Sequence, residues 1–144
     1  MLKHFDHLTF VVEQPEAALA FFALLGFELG QSVVISGPQM ARYMGIDGIE
    51  CEHRTLVLQN AAPHCEIQLL TYRQPAALPN SDLASRRQCG FNHVCFAVDD
   101  LDAELQRLQA HGVQPMNEGL EFHDRKLAFV AGPEHIVVEL AQWY

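Results

Sequence analysis

The chain has 144 residues, of which 49% are hydrophobic and 19% charged, and its formal net charge is −9. That length carries one sizeable core, or two small modules that share one. The acidic balance excludes a partner held through its phosphate backbone, which needs a basic surface. No apolar run reaches the length of a membrane span.

In chain order, Leu8, Phe10 and Val12 alternate with His7, Thr9 and Val11, the period of a strand. Pro15 suits the first turn of a helix. Ala18, Phe22 and Leu25 then give an apolar helical face that ends at Gly26. Phe27 to Ile35 is expected to be a strand. Ser36 to Gly48 interrupts the pattern, with Gln39 to Met44 forming one or two helical turns. This insertion carries Met40, Tyr43 and Met44, and it either covers a substrate pocket or caps the core. Strands are expected over His53–Leu58 and Cys65–Tyr72, separated by a turn at Asn60–Pro63.

Pro75, Pro79, Asn80 and Ser81 mark a connection, with a short helix expected over Asp82–Arg87. A second round follows. Phe91–Val98 reads as a strand, with Asp99 or Asp100 as helix cap. Leu101, Leu105 and Leu108 form an apolar stripe, and Gly112 stops the helix. Strands are expected at Val113–Asn117, Arg125–Val130 and Ile136–Gln142, with a loop over Gly119–Asp124 and a turn at Gly132–Pro133.

The second round repeats the first. His7 and His93 are 86 residues apart, and so are Gly26 and Gly112. Equal offsets indicate an internal duplication. The expected organisation is one domain over 1–144, made of two modules at about 1–72 and 91–144, with a linker over 73–90. Each module is strand, helix and three strands, an α+β fold with tandem βαβββ modules.

Alternation along the strands places Leu8, Phe10, Val12, Ile67, Leu69, Val94, Phe96, Val138 and Leu140 on one apolar, helix-packing face. His7, Glu66, Gln68, His93 and Glu139 fall on the other. Aligning the last strands makes Gln68 the repeat-mate of Glu139, as His7 is of His93. Imidazole, carboxylate and amide oxygen suit a divalent transition metal, so His7, Gln68, His93 and Glu139 form the candidate ligand set, with Glu66 a rival to Gln68. Cys95 falls on the same face, and its small thiol is read as core. The four cysteines include no C-x-x-C pair, and no apolar leader opens the chain, so reduced thiols in a cytoplasmic protein are expected.

Several motifs carry a family resemblance. They are Asp6-His7-Leu8, Leu24-Leu25-Gly26-Phe27, Ile67-Gln68-Leu69-Leu70, Asn92-His93-Val94, Val98-Asp99-Asp100-Leu101 and Val138-Glu139-Leu140. Together they resemble the vicinal oxygen chelate superfamily, which includes glyoxalase I, methylmalonyl-CoA epimerase, extradiol dioxygenases and resistance proteins. Gly132 and His135 depart from the family's usual last turn.

The resemblance implies curved mixed sheets around a central site. It assigns His7, His93 and Glu139 as metal ligands, with Gln68 as the fourth. It implies one divalent ion (Zn, Ni, Co, Mn or Fe), a small substrate with two vicinal oxygens, and a homodimer; the charge and the lack of a long apolar run lead us to expect no nucleic-acid or membrane partner. The expected function is a lyase or isomerase of glyoxalase or epimerase type, in which the metal stabilises an enediolate or enolate. Glu139 is then the base, with Glu52 or Glu66 as a second carboxylate. The alternatives are an Fe(II) extradiol-type dioxygenase and a metal-free, resistance-type binding protein.

Overall fold

The alternating runs and the two Gly-terminated helical stripes fold as eight strands and three α-helices in a computed structural model that describes residues 1, 3–78, 87 and 89–144. The chain divides into two compact units, Met1–Pro79 and Asn80–Tyr144. The helix expected over Asp82–Arg87 lies outside the described residues, apart from Arg87.

The first unit contains β1 (His7–Val11), α1 (Pro15–Leu24), β2 (Phe27–Ser36), α2 (Gly37–Met44), β3 (Glu50–Leu58) and β4 (Glu66–Gln74). Its sheet has the order β1-β4-β3-β2. β1 lies parallel to β4, and the other neighbours are antiparallel. The second unit contains β5 (Val94–Ala97), α3 (Leu101–Ala110), β6 (Leu120–Phe122), β7 (Arg125–Ala131) and β8 (Val137–Trp143), with a single 3₁₀ turn at Pro133–His135. Its sheet order, β5-β8-β7-β6, is the same topology.

The register repeats as well. Leu8 faces Ile67 and Thr9 faces Gln68 in the first sheet. Val94 faces Val138 and Cys95 faces Glu139 in the second. The duplication therefore extends to individual rungs. Gly26 and Gly112 follow α1 and α3 with φ of +90° and +87°, the left-handed conformation that ends a helix and that a Cβ would strain.

One face of each sheet packs on its helix. Val12, Ile67, Leu69, Ala128, Val130, Val138 and Leu140 are buried there. In α1 the buried positions are Ala18, Phe21 and Phe22. Leu25 caps the helix instead of extending its apolar face, because the chain leaves helical geometry there before Gly26. The Phe22 ring lies 5.6 Å from Phe10, 5.3 Å from Phe21 and 5.8 Å from Phe27. Burying an aromatic of this size contributes about 1.5–3 kcal/mol. In α3, Leu101 and Leu108 are buried, and Asp100 caps the helix by accepting a 2.9 Å hydrogen bond from the Ala103 N–H.

Two expectations fail in the second unit. Val113–Asn117 is not a strand, since only Pro115 bridges to Val130. Proline removes a ladder donor, and the Phe129 N–H donates instead to the Asn117 side chain at 2.8 Å. Conversely, the expected loop over Gly119–Asp124 contains β6, which pairs Leu120 with Leu127 and Phe122 with Arg125. His123 makes the tight turn at a φ of 57°. Among the described residues, no helix is long and apolar enough to cross a membrane.

Candidate functional site

The face of each sheet turned away from its helix carries the polar side chains. In the first unit, His7 opens β1 beside Glu66, its rung partner on β4, and Gln68 follows between Thr9 and Thr55. The Gln68 amide donates to Glu66 at 2.8 Å, and the Thr9 hydroxyl points to Gln68 Oε1 at 3.4 Å. Glu66 also meets His64 Nε2 at 3.3 Å. Glu66 and Gln68 thus share one face and one hydrogen-bond chain.

In the second unit, His93 stands immediately before β5, and its Nε2 lies 3.4 Å from Glu139 Oε2 on β8. The Phe129 ring meets the imidazole edge-on with centroids 5.1 Å apart. Glu139 is enclosed, with 15% of its side chain exposed.

Both imidazoles are oriented by the residue before them, a role that sequence reasoning did not assign. His7 Nδ1 lies 2.9 Å from Asp6 Oδ1, and His93 Nδ1 lies 2.8 Å from Asn92 Oδ1. Each oxygen accepts, so each Nδ1 is the donor in these contacts, and Nε2 is the ring nitrogen left for a ligand. A hydrogen bond of this kind behind an imidazole orients it for metal binding. The hydrogen bond from His7 holds the Asp6 carboxyl below the usual carboxylate range. The signal was present in the sequence as a polar residue directly before each repeated histidine.

Glu52 stands elsewhere. It faces Thr71 and shares the helix-packing side with Arg54 and Leu69. There it pairs with Arg54 at 2.9 Å and accepts from the Ser32 hydroxyl at 3.1 Å. Cys95 is not a core thiol, because it lies on the open face opposite Glu139. Partial burial first, and a hydrogen bond to Glu139 second, push its thiol up to about 12. All four cysteines are free.

The insertion has a mixed role. Met40 and Met44 pack against Ile49, Cys51 and Leu70, capping the core, while Tyr43 is exposed. An apolar cavity of about 350 Å³ in this unit is lined instead by Val11, Ile46, Tyr72 and the 75–78 segment. Val11 and Tyr72 lie on the His7 and Gln68 face, so that face grades from polar to apolar along β1 and β4. Among the described residues, no three His, Cys, Asp or Glu side chains stand together as a metal cluster.

Two units of one topology and one register, each opened by an imidazole, define the vicinal oxygen chelate type of fold. The chain belongs to the Glyoxalase/Bleomycin resistance protein/Dioxygenase superfamily, whose family model matches residues 6–130. A glyoxalase family protein from Bacillus cereus superposes with a TM-score of 0.88 at 26% identity, over 99% of this chain and 95% of that one. The fosfomycin resistance protein FosX from Listeria monocytogenes, solved with Mn(II) and sulfate, shares the fold at a TM-score of 0.63 and 16% identity, over 100% and 95% of the two chains. A lactoylglutathione lyase from Pseudomonas aeruginosa is 36% identical over 56 residues, which is 37% of this chain and 30% of that protein.

Proposed function

We propose that the protein is a divalent-metal-dependent lyase or isomerase that removes a carbon-bound proton from a small substrate with two vicinal oxygens. The carrying observation is the repeated register, which gives His7 and His93 equivalent places and makes Gln68 the counterpart of Glu139. The chemistry of the four side chains suits a first-row divalent ion: two imidazoles whose Nδ1 atoms are already engaged, one carboxylate and one amide oxygen. FosX, a relative in fold, was solved with such an ion. When bound, the cation supplies Lewis-acid stabilisation to negative charge that develops on substrate oxygen.

The chain's own residues do the rest. Asp6 and Asn92 orient the imidazoles. Glu139 is the base, since it is enclosed and sits beside His93. Glu66 is the candidate second carboxylate, because Glu52 faces the helices. The cavity bounded by Val11, Ile46 and Tyr72 receives an apolar part of the substrate.

The test pairs metal content with proton exchange. Elemental analysis should show one divalent ion per chain, lost in His7→Ala, His93→Ala and Glu139→Ala and reduced less in Gln68→Ala. At saturating metal, Glu139→Gln should slow solvent deuterium exchange into a 2-oxo hemithioacetal or a branched acyl-CoA by about 10²–10⁴-fold. Exchange at the wild-type rate removes Glu139 as the base. Oxygen consumption on a catechol, with no exchange, identifies a dioxygenase instead.

A further inference from the structure

The open face of the second sheet carries three successive rungs of different chemistry. Phe129 faces Glu139, Leu127 faces Ala141, and Arg125 faces Trp143. The first rung is the polar end beside His93. The second is apolar. The third is cationic, and β6 flanks it with Phe122 as the partner of Arg125 and Leu120 as the partner of Leu127.

The Arg125 guanidinium lies over the indole of Trp143, its central carbon 3.7 Å from the ring centroid. Its Nε lies 3.4 Å from Asp124 Oδ1, and that is its sole hydrogen bond among the described residues. The two terminal nitrogens therefore form a fork with no hydrogen-bond partner among the described residues, backed by the ring. A planar fork of this kind matches the two oxygens of a carboxylate or phosphate. The surroundings make it distinctive. Leu120, Phe122 and Trp143 are all more than half exposed, so the cation stands on an apolar strip in a chain of net charge −9.

We propose that Arg125, stacked on Trp143, anchors an anionic group at the far end of the substrate. The inference rests on reading His93 and Glu139 as the metal-binding end. Trp143 stands four positions beyond Glu139 on β8, which is about 13 Å of strand. The substrate class is thus a molecule with chelating oxygens at one end, an apolar middle and a carboxylate or phosphate at the other.

Trp143 is the chain's single tryptophan, so its fluorescence reports on this rung directly. The probes are suberic acid monohydroxamate, its terminal amide and the matching terminal phosphonate, titrated into Zn-loaded and chelator-treated full-length protein. A charge-assisted fork typically favours the anion by about 10- to 100-fold. The carboxylate or phosphonate should bind tighter than the amide by that factor and perturb Trp143. Whichever anion gains more identifies the group. Arg125→Met should erase the preference, and Arg125→Lys should restore only part of it.

Equal binding of amide and anions by wild type overturns the proposal. So does a preference that survives Arg125→Met, or metal-loaded protein that gives no Trp143 response to any probe. Affinities that ignore the metal while the anion preference holds count against the metal reading and support Arg125.

Discussion

The repeated contact behind each imidazole makes a quantitative demand. His93 Nδ1 is 2.8 Å from Asn92 Oδ1, and His7 Nδ1 is 2.9 Å from Asp6 Oδ1. Asn92→Ala removes the acceptor that orients the ring and leaves the imidazole in place. Partners of this kind are commonly worth about 10- to 100-fold in metal affinity. Asn92→Ala should therefore weaken Zn binding by that factor, well short of His93→Ala. Asp6→Ala should cost a similar amount. Asp6→Asn should cost less, since the amide oxygen still accepts. The assay is competition for Zn against a chromophoric chelator, with a denaturant melt as control. Asn92 is half-buried, so stability should change little. An affinity within twofold of wild type for both alanine variants, with His93→Ala losing the metal, would refute the argument that the preceding residues orient the ligands.

Phe22→Ala removes a fully buried ring in contact with three others and should destabilise the fold by about 3–5 kcal/mol in urea. Phe10→Ala and Phe96→Ala should cost less, as both positions are only half-buried; a Phe22 loss below about 1 kcal/mol would mean the core is misplaced. Cys95 lies on the open face, yet its thiol at about 12, against an ordinary 9.0, leaves about a thousandfold less thiolate at pH 8. In chelator-treated protein, iodoacetamide should label it slowly at pH 8, faster as pH rises, and faster at pH 8 in Glu139→Gln. Peptide mapping that finds Cys95 labelled at the rate of an unstructured cysteine would show that Glu139 and burial do not hold the proton.

The sequence made the frame legible because its strongest signals were periodic and doubled. Alternation in β1, β4 and β8 separated the helix-packing side chains from the His7, Gln68 and Glu139 face, and two equal offsets marked the histidines. Failures came where alternation is weak. From Cys51 to Leu58 polar and apolar residues share both faces, so nothing local told which way Glu52 points; the pairing with Thr71 decides it. β6 is three residues long and turns through His-Asp, which lacks the usual glycine signal. Asp6 and Asn92 were visible as neighbours of the histidines, but their role depends on a ring contact that spacing does not encode. Arg125 and Trp143 lie eighteen residues apart, and only the antiparallel register of β7 and β8 brings them together.

The offset between equivalent rungs is not constant along the chain. It is 86 at His7 and His93, but 74 at Thr55 and Phe129, which face Gln68 and Glu139. The second unit is therefore twelve residues shorter between its helix and third strand, in the stretch where the first unit carries α2. Twelve residues come or go without moving a rung. Length in that stretch is thus uncoupled from ligand geometry. A descendant of this chain can redraw the apolar end beside Ile46 by changing one helix and its flanks, while the strands that present the imidazoles and carboxylates stay in step.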